Sequence, residues 1–350
     1  MSALNPAPVA AAVRRARRFC GARLWWVIPA LLAFLLFIWE LGAIGLVDET
    51  PPLFAASARR MAESGDWLIP SVNGLPRYDK PPLLYWLMGL LYGLPGWERI
   101  DPLGSWAAAL PSALSATALL LLLAWLLRRH AAGMGSTGSA VSVALAFGLS
   151  PLVLLWSRIG VADLLFTAWL SAALISSWLV AVGAIRPRAW PLPWLGLGLA
   201  VLTKGPVALV LFWLSWVLFS LLQRDRGLAL LTRFRPLRGV ALSLLVCVPW
   251  YVVVVARDGW AFWNSFFGYH NVQRFVGVVN GHAAPWWFHL AMLVLASLPL
   301  TPLLLLQLWR CIRDRFRLAP QSLQVFCCCW LTAVLIFLPL LPRSSPATGC

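Results

Sequence analysis

Long apolar runs, separated by brief polar punctuation, dominate this chain from its third decade onward. Leu24–Val47 is apolar throughout except for Glu40. At ~1.5 Å per residue such a run is long enough to cross a ~30 Å hydrocarbon core. Comparable runs follow at Gly104–Leu127, Ser139–Trp156, Leu164–Gly183, Trp190–Thr203, Pro206–Gln223, Val240–Ala256, Trp286–Trp309 and Gln321–Leu341. The pattern predicts an all-α polytopic membrane protein with about nine spans, the fifth being the shortest. Glu40 would then lie ~12 Å of helix rise from Asp48, as a buried acid or a structural hydrogen-bonding group inside the bundle.

Between the first two long runs the pattern changes. Pro51-Pro52 suits a helix start, Phe54, Ala58 and Met61 recur at helical spacing, and Gly65 stops the helix. This reads as an amphipathic helix lying on the membrane surface. Asn73-Gly74 is a turn. Leu83–Leu94 is apolar and rich in Tyr and Trp but too short to span, so it is expected to lie at the interface or pack obliquely.

Composition fits the pattern, with 61% hydrophobic and only 11% charged residues. The net charge of +16 could indicate a nucleic-acid partner, but the placement of the charges excludes that class. With a cytoplasmic amino terminus and alternating spans, the inside segments hold 18 arginines against two acids, Asp225 and Asp314. The positive-inside rule thus absorbs the whole excess. Residues 1–23 form a cytoplasmic basic tail leading into an uncleaved signal anchor. Of seven cysteines only Cys350 falls outside, so an extracellular disulfide framework is not expected, and Cys327–Cys329 reads as small apolar filler.

Polar chemistry collects on the external side, in a first loop at 48–103 and a second at 257–285. Asp48-Glu49 opens the first loop and Asp79-Lys80-Pro81-Pro82 returns it to apolar surface. Ser157-Arg158 with Asp163, Thr203-Lys204-Gly205-Pro206, and a stretch containing Tyr269, His270, Asn271, Arg274 and His282 face the same side. Converging cations suit a lipid phosphate, and carboxylates suit proton abstraction from an acceptor or a metal site. Arg158 and Asp163 read as a structural pair. Lys204 reads either as a helix-end cation meeting the dipole or as a substrate contact.

The ordered set Asp48-Glu49, Gly65-Asp66-Trp67-Leu68-Ile69-Pro70, Asn73-Gly74-Leu75 and Asp79-Lys80-Pro81-Pro82-Leu83-Leu84-Tyr85-Trp86 resembles the dolichyl-phosphate-mannose protein mannosyltransferase-like family. Within it, the set resembles the bacterial branch that includes the lipid A aminoarabinose transferases. Ser157-Arg158, Leu202–Pro206, Pro249-Trp250-Tyr251 and His270–Phe275 extend the resemblance over residues 24–340. It implies a GT-C glycosyltransferase of the bacterial inner membrane. Such an enzyme takes a sugar from a polyprenyl-phosphate donor on the periplasmic side and gives it to a glycolipid or protein acceptor.

By the same resemblance, Asp48 is the catalytic acid, with Glu49 beside it, and Lys80 and Arg274 contact the donor phosphate, with Lys204 next in line. Tyr78, Asp79, Arg158, Asp163, His270 and Asn271 are substrate-contacting or structural. No cofactor is required by a leaving monophosphate held by Lys and Arg. A divalent metal stays open, with Asp79, His270 and His282 as weak ligands. Thr50-Pro51-Pro52 stands where relatives commonly carry an aromatic or basic residue, and Tyr269 where they often carry an acid. Relatives continue into further spans and an external domain, so the polar ending 342–350 is expected to mark a truncated chain.

A second class, a lipid-linked-sugar transporter or a non-catalytic lipid-binding subunit, would share the membrane-lipid contacts and the basic pocket. It would more typically show internal repeats with broken helices near the midplane. The sequence has no such repeat and keeps its polar groups on one face.

Overall fold

The computed structural model describes residues 26–130, 137–273, 288–298 and 322–337, with 301, 302, 305, 306, 309 and 313 between the last two stretches. Within these residues the chain is a helical bundle with one two-stranded hairpin. The bundle helices, in chain order, are α1 (Val27–Ala33), α2 (Thr50–Ser64), α3 (Leu83–Tyr92), α4 (Trp97–Ile100), α5 (Ser105–His130), α6 (Thr137–Gly148), α7 (Pro151–Ser157), α8 (Ala162–Ala181), α9 (Pro191–Lys204), α10 (Val207–Leu222), α11 (Gly227–Arg233), α12 (Pro236–Phe262), α13 (Phe288–Ala296) and α14 (Leu323–Phe337).

Among the described residues, Ser105–Arg129, Ala162–Ala181 and Pro236–Tyr269 are long and apolar enough to cross a membrane. Other predicted spans, such as those of α10 and α14, appear as shorter apolar helices. Leu221, Leu237, Leu245 and Val252 point outward, as expected where the surrounding solvent is hydrocarbon.

The first predicted span differs from its expectation. Helix α1 passes into a π-helical turn, Phe34–Ile38, and the chain then turns instead of continuing to Val47. Glu40 adopts a left-handed φ of 51° and is exposed, so it is not a buried acid. The cause is a distant side chain. Arg158 donates to the carbonyl oxygens of Leu36 at 3.0 Å, Trp39 at 2.7 Å and Glu40 at 3.0 Å. These contacts satisfy acceptors that a helix end leaves open. The Ser139–Trp156 run is likewise divided, because Pro151 starts a new helix after the break at Leu149-Ser150.

Packing follows residue size. Ala33 and Phe37 meet Ala109, Ala113, Ala116 and Ala144 where α1, α5 and α6 approach closely. The larger cluster centres on Trp194, whose Nε1 donates to Phe234 O at 2.8 Å, with Phe212, Trp216 and Phe326 around it. Ser243 Oγ donates to Trp194 O at 2.7 Å, and Tyr251 OH reaches Val201 O at 3.5 Å. Ascending contacts of this kind mean that α9 and α12 run parallel. Their carboxy-terminal ends, with Lys204 and Asp258, therefore emerge on the same face.

Candidate functional site

The first large loop is built by local chemistry. Pro51 and Pro52 open α2, and Gly65 closes it at φ 72° with its N–H on Met61 O. Phe54, Ala58 and Met61 are buried, which places the apolar stripe of α2 against α3. At Gly89 of α3 an added Cβ would come within 2.9 Å of the Trp67 ring, so only glycine allows this approach. Asn73 and Gly74, at φ 52° and 78°, make the tight turn of a hairpin pairing Ser71 with Pro76 and Val72 with Leu75.

The hairpin delivers the chain to the Asp-Lys-Pro-Pro turn, where three partners converge on Asp79. Arg77 grips its carboxylate as a fork, Nη2 to Oδ2 at 2.7 Å and Nε to Oδ1 at 3.2 Å. Tyr85, fully buried, donates its hydroxyl to Oδ1 at 3.2 Å. Burial acts to lower the Arg77 guanidinium, but the hydrogen bonds and charge of Asp79 outweigh it and hold Arg77 above its ordinary value. Lys80 Nζ lies 3.4 Å from Asp79 O.

A second group ties this loop to the end of α12. Tyr78 OH donates to Asp258 Oδ2 at 2.5 Å, and Arg257 Nη1 donates to Asp66 Oδ2 at 2.8 Å. Trp250 Nε1 donates to Leu68 O at 2.9 Å. Burial first, then the bond to Asp258, pushes the Tyr78 hydroxyl up to about 12. Burial acts to raise the Asp66 carboxyl, yet Arg257 and the Leu68 N–H hold it below its ordinary value. Beyond Asp258, the stretch expected as loop is helical through Gln273, after a kink at Gly259 with φ 55°.

The remaining candidates divide clearly. Asp48 and Glu49 are exposed, and Asp48 holds a φ of 78° with its Oδ1 accepting the Glu49 N–H at 2.7 Å. Asp163 does not pair with Arg158. Its Oδ1 meets Lys204 Nζ at 2.7 Å, with Lys204 also over the Phe166 ring at 5.5 Å. The expected Arg158–Asp163 pair fails because Arg158 is spent on the carbonyls that end the first span. His270 and Asn271 lie in the helical stretch, but their side chains, together with Arg274 and His282, fall outside the described residues. Among the described residues no cluster of three His, Cys, Asp or Glu side chains forms.

Arg77, Tyr85, Asp66, Arg257 and Asp258 were not among the candidates drawn from sequence. Asp66 and Tyr85 stood within the motifs that carry the resemblance, Arg77 lay two positions before Asp79 in an extended segment, and Arg257 and Asp258 had no such signal. Two hollows flank the loop. A 460 Å³ cleft lies between Arg59, Arg60 and Glu63 of α2 and the hairpin. An apolar groove of 490 Å³ runs down α5 from Leu110 to Leu122, between α3 and α8.

The chain as a whole resembles proteins already known. A family model described as dolichyl-phosphate-mannose-protein mannosyltransferase matches residues 79–252. The chain is 34% identical over 323 residues to the undecaprenyl phosphate-alpha-4-amino-4-deoxy-L-arabinose arabinosyl transferase of Pseudomonas aeruginosa strain UCBPP-PA14, covering 89% of this chain and 54% of that protein. The enzyme of the same name from Erwinia tasmaniensis is 30% identical over 316 residues, covering 88% and 53%. The crystal structure of ArnT from Cupriavidus metallidurans bound to undecaprenyl phosphate superposes with a TM-score of 0.75 at 25% identity, covering 92% of this chain and 56% of that one. Its apo state gives the same TM-score. The chain spans about half the length of the relatives it matches.

Proposed function

We propose that this chain, whose residues 79–252 match the dolichyl-phosphate-mannose-protein mannosyltransferase family model, is a membrane glycosyltransferase domain that uses a polyprenyl-phosphate sugar. The acceptor is a glycolipid of the lipid A kind, with a protein hydroxyl as the other class the family serves. One observation carries the reading. Lys204 pairs with Asp163 where α9 ends and α8 begins, and the Asp79-Lys80 turn, tied through Tyr78 to Asp258 at the end of α12, lies on that same face, with Asp48 eight residues beyond the Glu40 carbonyl that Arg158 holds.

The chemistry follows from the placement. Glycosyl transfer from a phosphate leaves a phosphate anion, so fixed cations at the leaving group lower the barrier. Lys80, Lys204 and Arg274 take that role. A carboxylate beside the acceptor hydroxyl removes or orients its proton. Asp48, with Glu49 adjoining, takes that one. In this reading residues 24–341 are the GT-C-like membrane domain with about nine spans, a cytoplasmic amino terminus and a periplasmic site in the bacterial inner membrane.

Two measurements test this. The purified chain in detergent should bind undecaprenyl phosphate more tightly than undecaprenol; equal affinity for the two would remove the phosphate site and with it the donor reading. A reporter fused after Gly74 should be periplasmic and one fused after Arg317 cytoplasmic. External labelling of a single cysteine placed in the 224–238 segment would reverse the orientation.

A further inference from the structure

Two hollows meet at α2 and share Arg59 and Glu63 in their walls. The larger, of 460 Å³, also takes in the hairpin turn and both Leu46 and Pro52, which flank Asp48-Glu49 in the chain. The smaller, of 110 Å³, is lined by Tyr92, Trp97, Glu98 and Asp101. The wall of the larger hollow is net positive, with Arg59 and Arg60 against the single acid Glu63. Among the described residues no carboxylate lies within ion-pair distance of either guanidinium.

Arg59 is held by its surroundings. Its guanidinium lies over the Tyr92 ring, 5.1 Å from the centroid, and Tyr92 OH donates to Gly104 O at 2.6 Å. A Cβ at Gly104, whose φ is 70°, would fall 2.3 Å from Arg59 Nη2 and displace it. Arg60 is exposed. Two guanidiniums reaching one cleft suit a phosphate, which accepts paired charge-assisted hydrogen bonds from arginine.

Trp97 supplies an independent sign. Its indole N–H is buried and has no hydrogen-bond acceptor among the described residues, in a hollow that also presents Glu98 and Asp101. A sugar hydroxyl accepts from such a donor while donating to a carboxylate. The rim is apolar. Leu103 in the wall of the larger hollow, Leu75 beside Gly74 and Ile100 beside Asp101 are all strongly exposed, the mark of a surface that meets lipid.

A ligand with phosphate, sugar and hydrocarbon satisfies all three features. We propose that these hollows bind the headgroup of a phosphorylated glycolipid acceptor, its phosphate on Arg59 and Arg60 and its sugar against Trp97. This rests on the glycosyltransferase reading above and deepens it, choosing the glycolipid over the protein hydroxyl. Asp48, between Leu46 and Pro52 in the chain, then adjoins the acceptor's own cleft.

Equilibrium binding to the full chain in detergent tests this with lipid A, dephosphorylated lipid A, phosphatidylglycerol and undecaprenyl phosphate. The wild type should bind lipid A more tightly than its dephosphorylated form and more tightly than phosphatidylglycerol. Arg60→Gln should weaken lipid A binding about tenfold, as for one lost charge-assisted contact, and leave undecaprenyl phosphate binding within about twofold. Trp97→Phe keeps a ring and removes the donor. It should weaken both forms of lipid A about fivefold, as for one neutral hydrogen bond, and leave phosphatidylglycerol unchanged.

Equal losses for lipid A and phosphatidylglycerol in Arg60→Gln would make the cleft a general contact to anionic membrane lipid. A matching loss for undecaprenyl phosphate would give the cleft to the donor. Lipid A binding unchanged in Arg60→Gln, or a wild type indifferent to the lipid A phosphates, would leave the acceptor elsewhere. Each of these overturns the inference. Should Trp97→Phe fail to fold, Arg60→Gln decides by itself. Preference for undecaprenyl phosphate over undecaprenol, measured on the same preparation, reports separately on the donor. Its absence in the wild type removes the donor reading and this inference with it, whereas failure at lipid A alone leaves that reading standing.

Discussion

The Tyr78 hydroxyl donates to Asp258 Oδ2 at 2.5 Å, joining the first large loop to the end of α12 across 180 positions of sequence. Tyr78 immediately precedes Asp79-Lys80, and Asp258 immediately precedes the Gly259 kink that leads into the aromatic stretch ending at Gln273. The bond therefore sets the spacing between Lys80 and the segment that continues to Arg274. Tyr78→Phe should lower stability by roughly 1 kcal/mol, the typical net contribution of one intramolecular hydrogen bond. It should also weaken undecaprenyl phosphate binding severalfold. Thermal melting and donor titration on one preparation check this, and unchanged values of both would make the contact incidental.

The same contacts predict opposite behaviour at the two ends of the pH scale. Tyr78 is raised from 10.0 to about 12 in the folded chain, so its contribution is complete below pH 10 and is lost as pH rises toward 12. Asp66 is lowered from 3.8 by Arg257 and Leu68, so its contribution is complete above about pH 4 and is lost as pH falls through its lower folded value. Melting curves of Tyr78→Phe should converge on the wild type as pH rises from 10 toward 12, and those of Asp66→Asn should converge on it in strong acid.

Local chemistry made much of the first loop legible. Pro51-Pro52, Gly65 and Asn73-Gly74 act within a few residues of themselves, and each marks the boundary or turn expected of it. The break at Ile38 was not legible, because its cause, Arg158, lies about 120 residues away. The Lys204–Asp163 pair was hidden for a similar reason. Spacing favoured Arg158 as the partner of Asp163, but the end of α9 meets the start of α8 only in the folded bundle. Arg77 was visible as a residue and invisible as a partner, since two positions along an extended segment do not say which way a fork will close.

Gly239 fixes how α12 meets the aromatic cluster. A Cβ there would fall 1.8 Å from the Trp194 ring, far inside contact distance and against a fully buried side chain. Gly239→Ala should therefore destabilise the bundle by about 1–3 kcal/mol or more, the range for overpacking a close contact. The expected readout is a lowered melting temperature with donor affinity retained in the folded fraction.

Lys204 is paired with Asp163, and their side chains are 28% and 45% exposed. A pair this open contributes about 0.2–1 kcal/mol to stability, too little to explain a large functional loss. If Lys204 holds the donor phosphate as proposed, Lys204→Met should nonetheless weaken donor binding about tenfold, the loss of one charge-assisted contact. Asp163→Asn, which frees the Lys204 ammonium, should not weaken it. Equal losses in the two variants would assign the pair to structure alone.

Asp48 offers the cleanest separation of chemistry from binding. Its φ of 78° lies in the left-handed region, which Asn accepts at least as readily as Asp. Asp48→Asn therefore changes charge and basicity without forcing the backbone to move, and the Glu49 N–H keeps an oxygen acceptor at the same place. If Asp48 deprotonates or orients the acceptor, transfer should fall by ~100-fold or more while undecaprenyl phosphate binding stays within about twofold. Because the chain spans about half the length of its relatives, transfer is best measured in a full-length relative carrying the equivalent change, alongside donor binding by this chain. Transfer that survives the substitution would move the base to Glu49 or Asp79. Of these, Asp79 is already bound on both oxygens by Arg77 and Tyr85, which leaves Glu49 as the next carboxylate to replace.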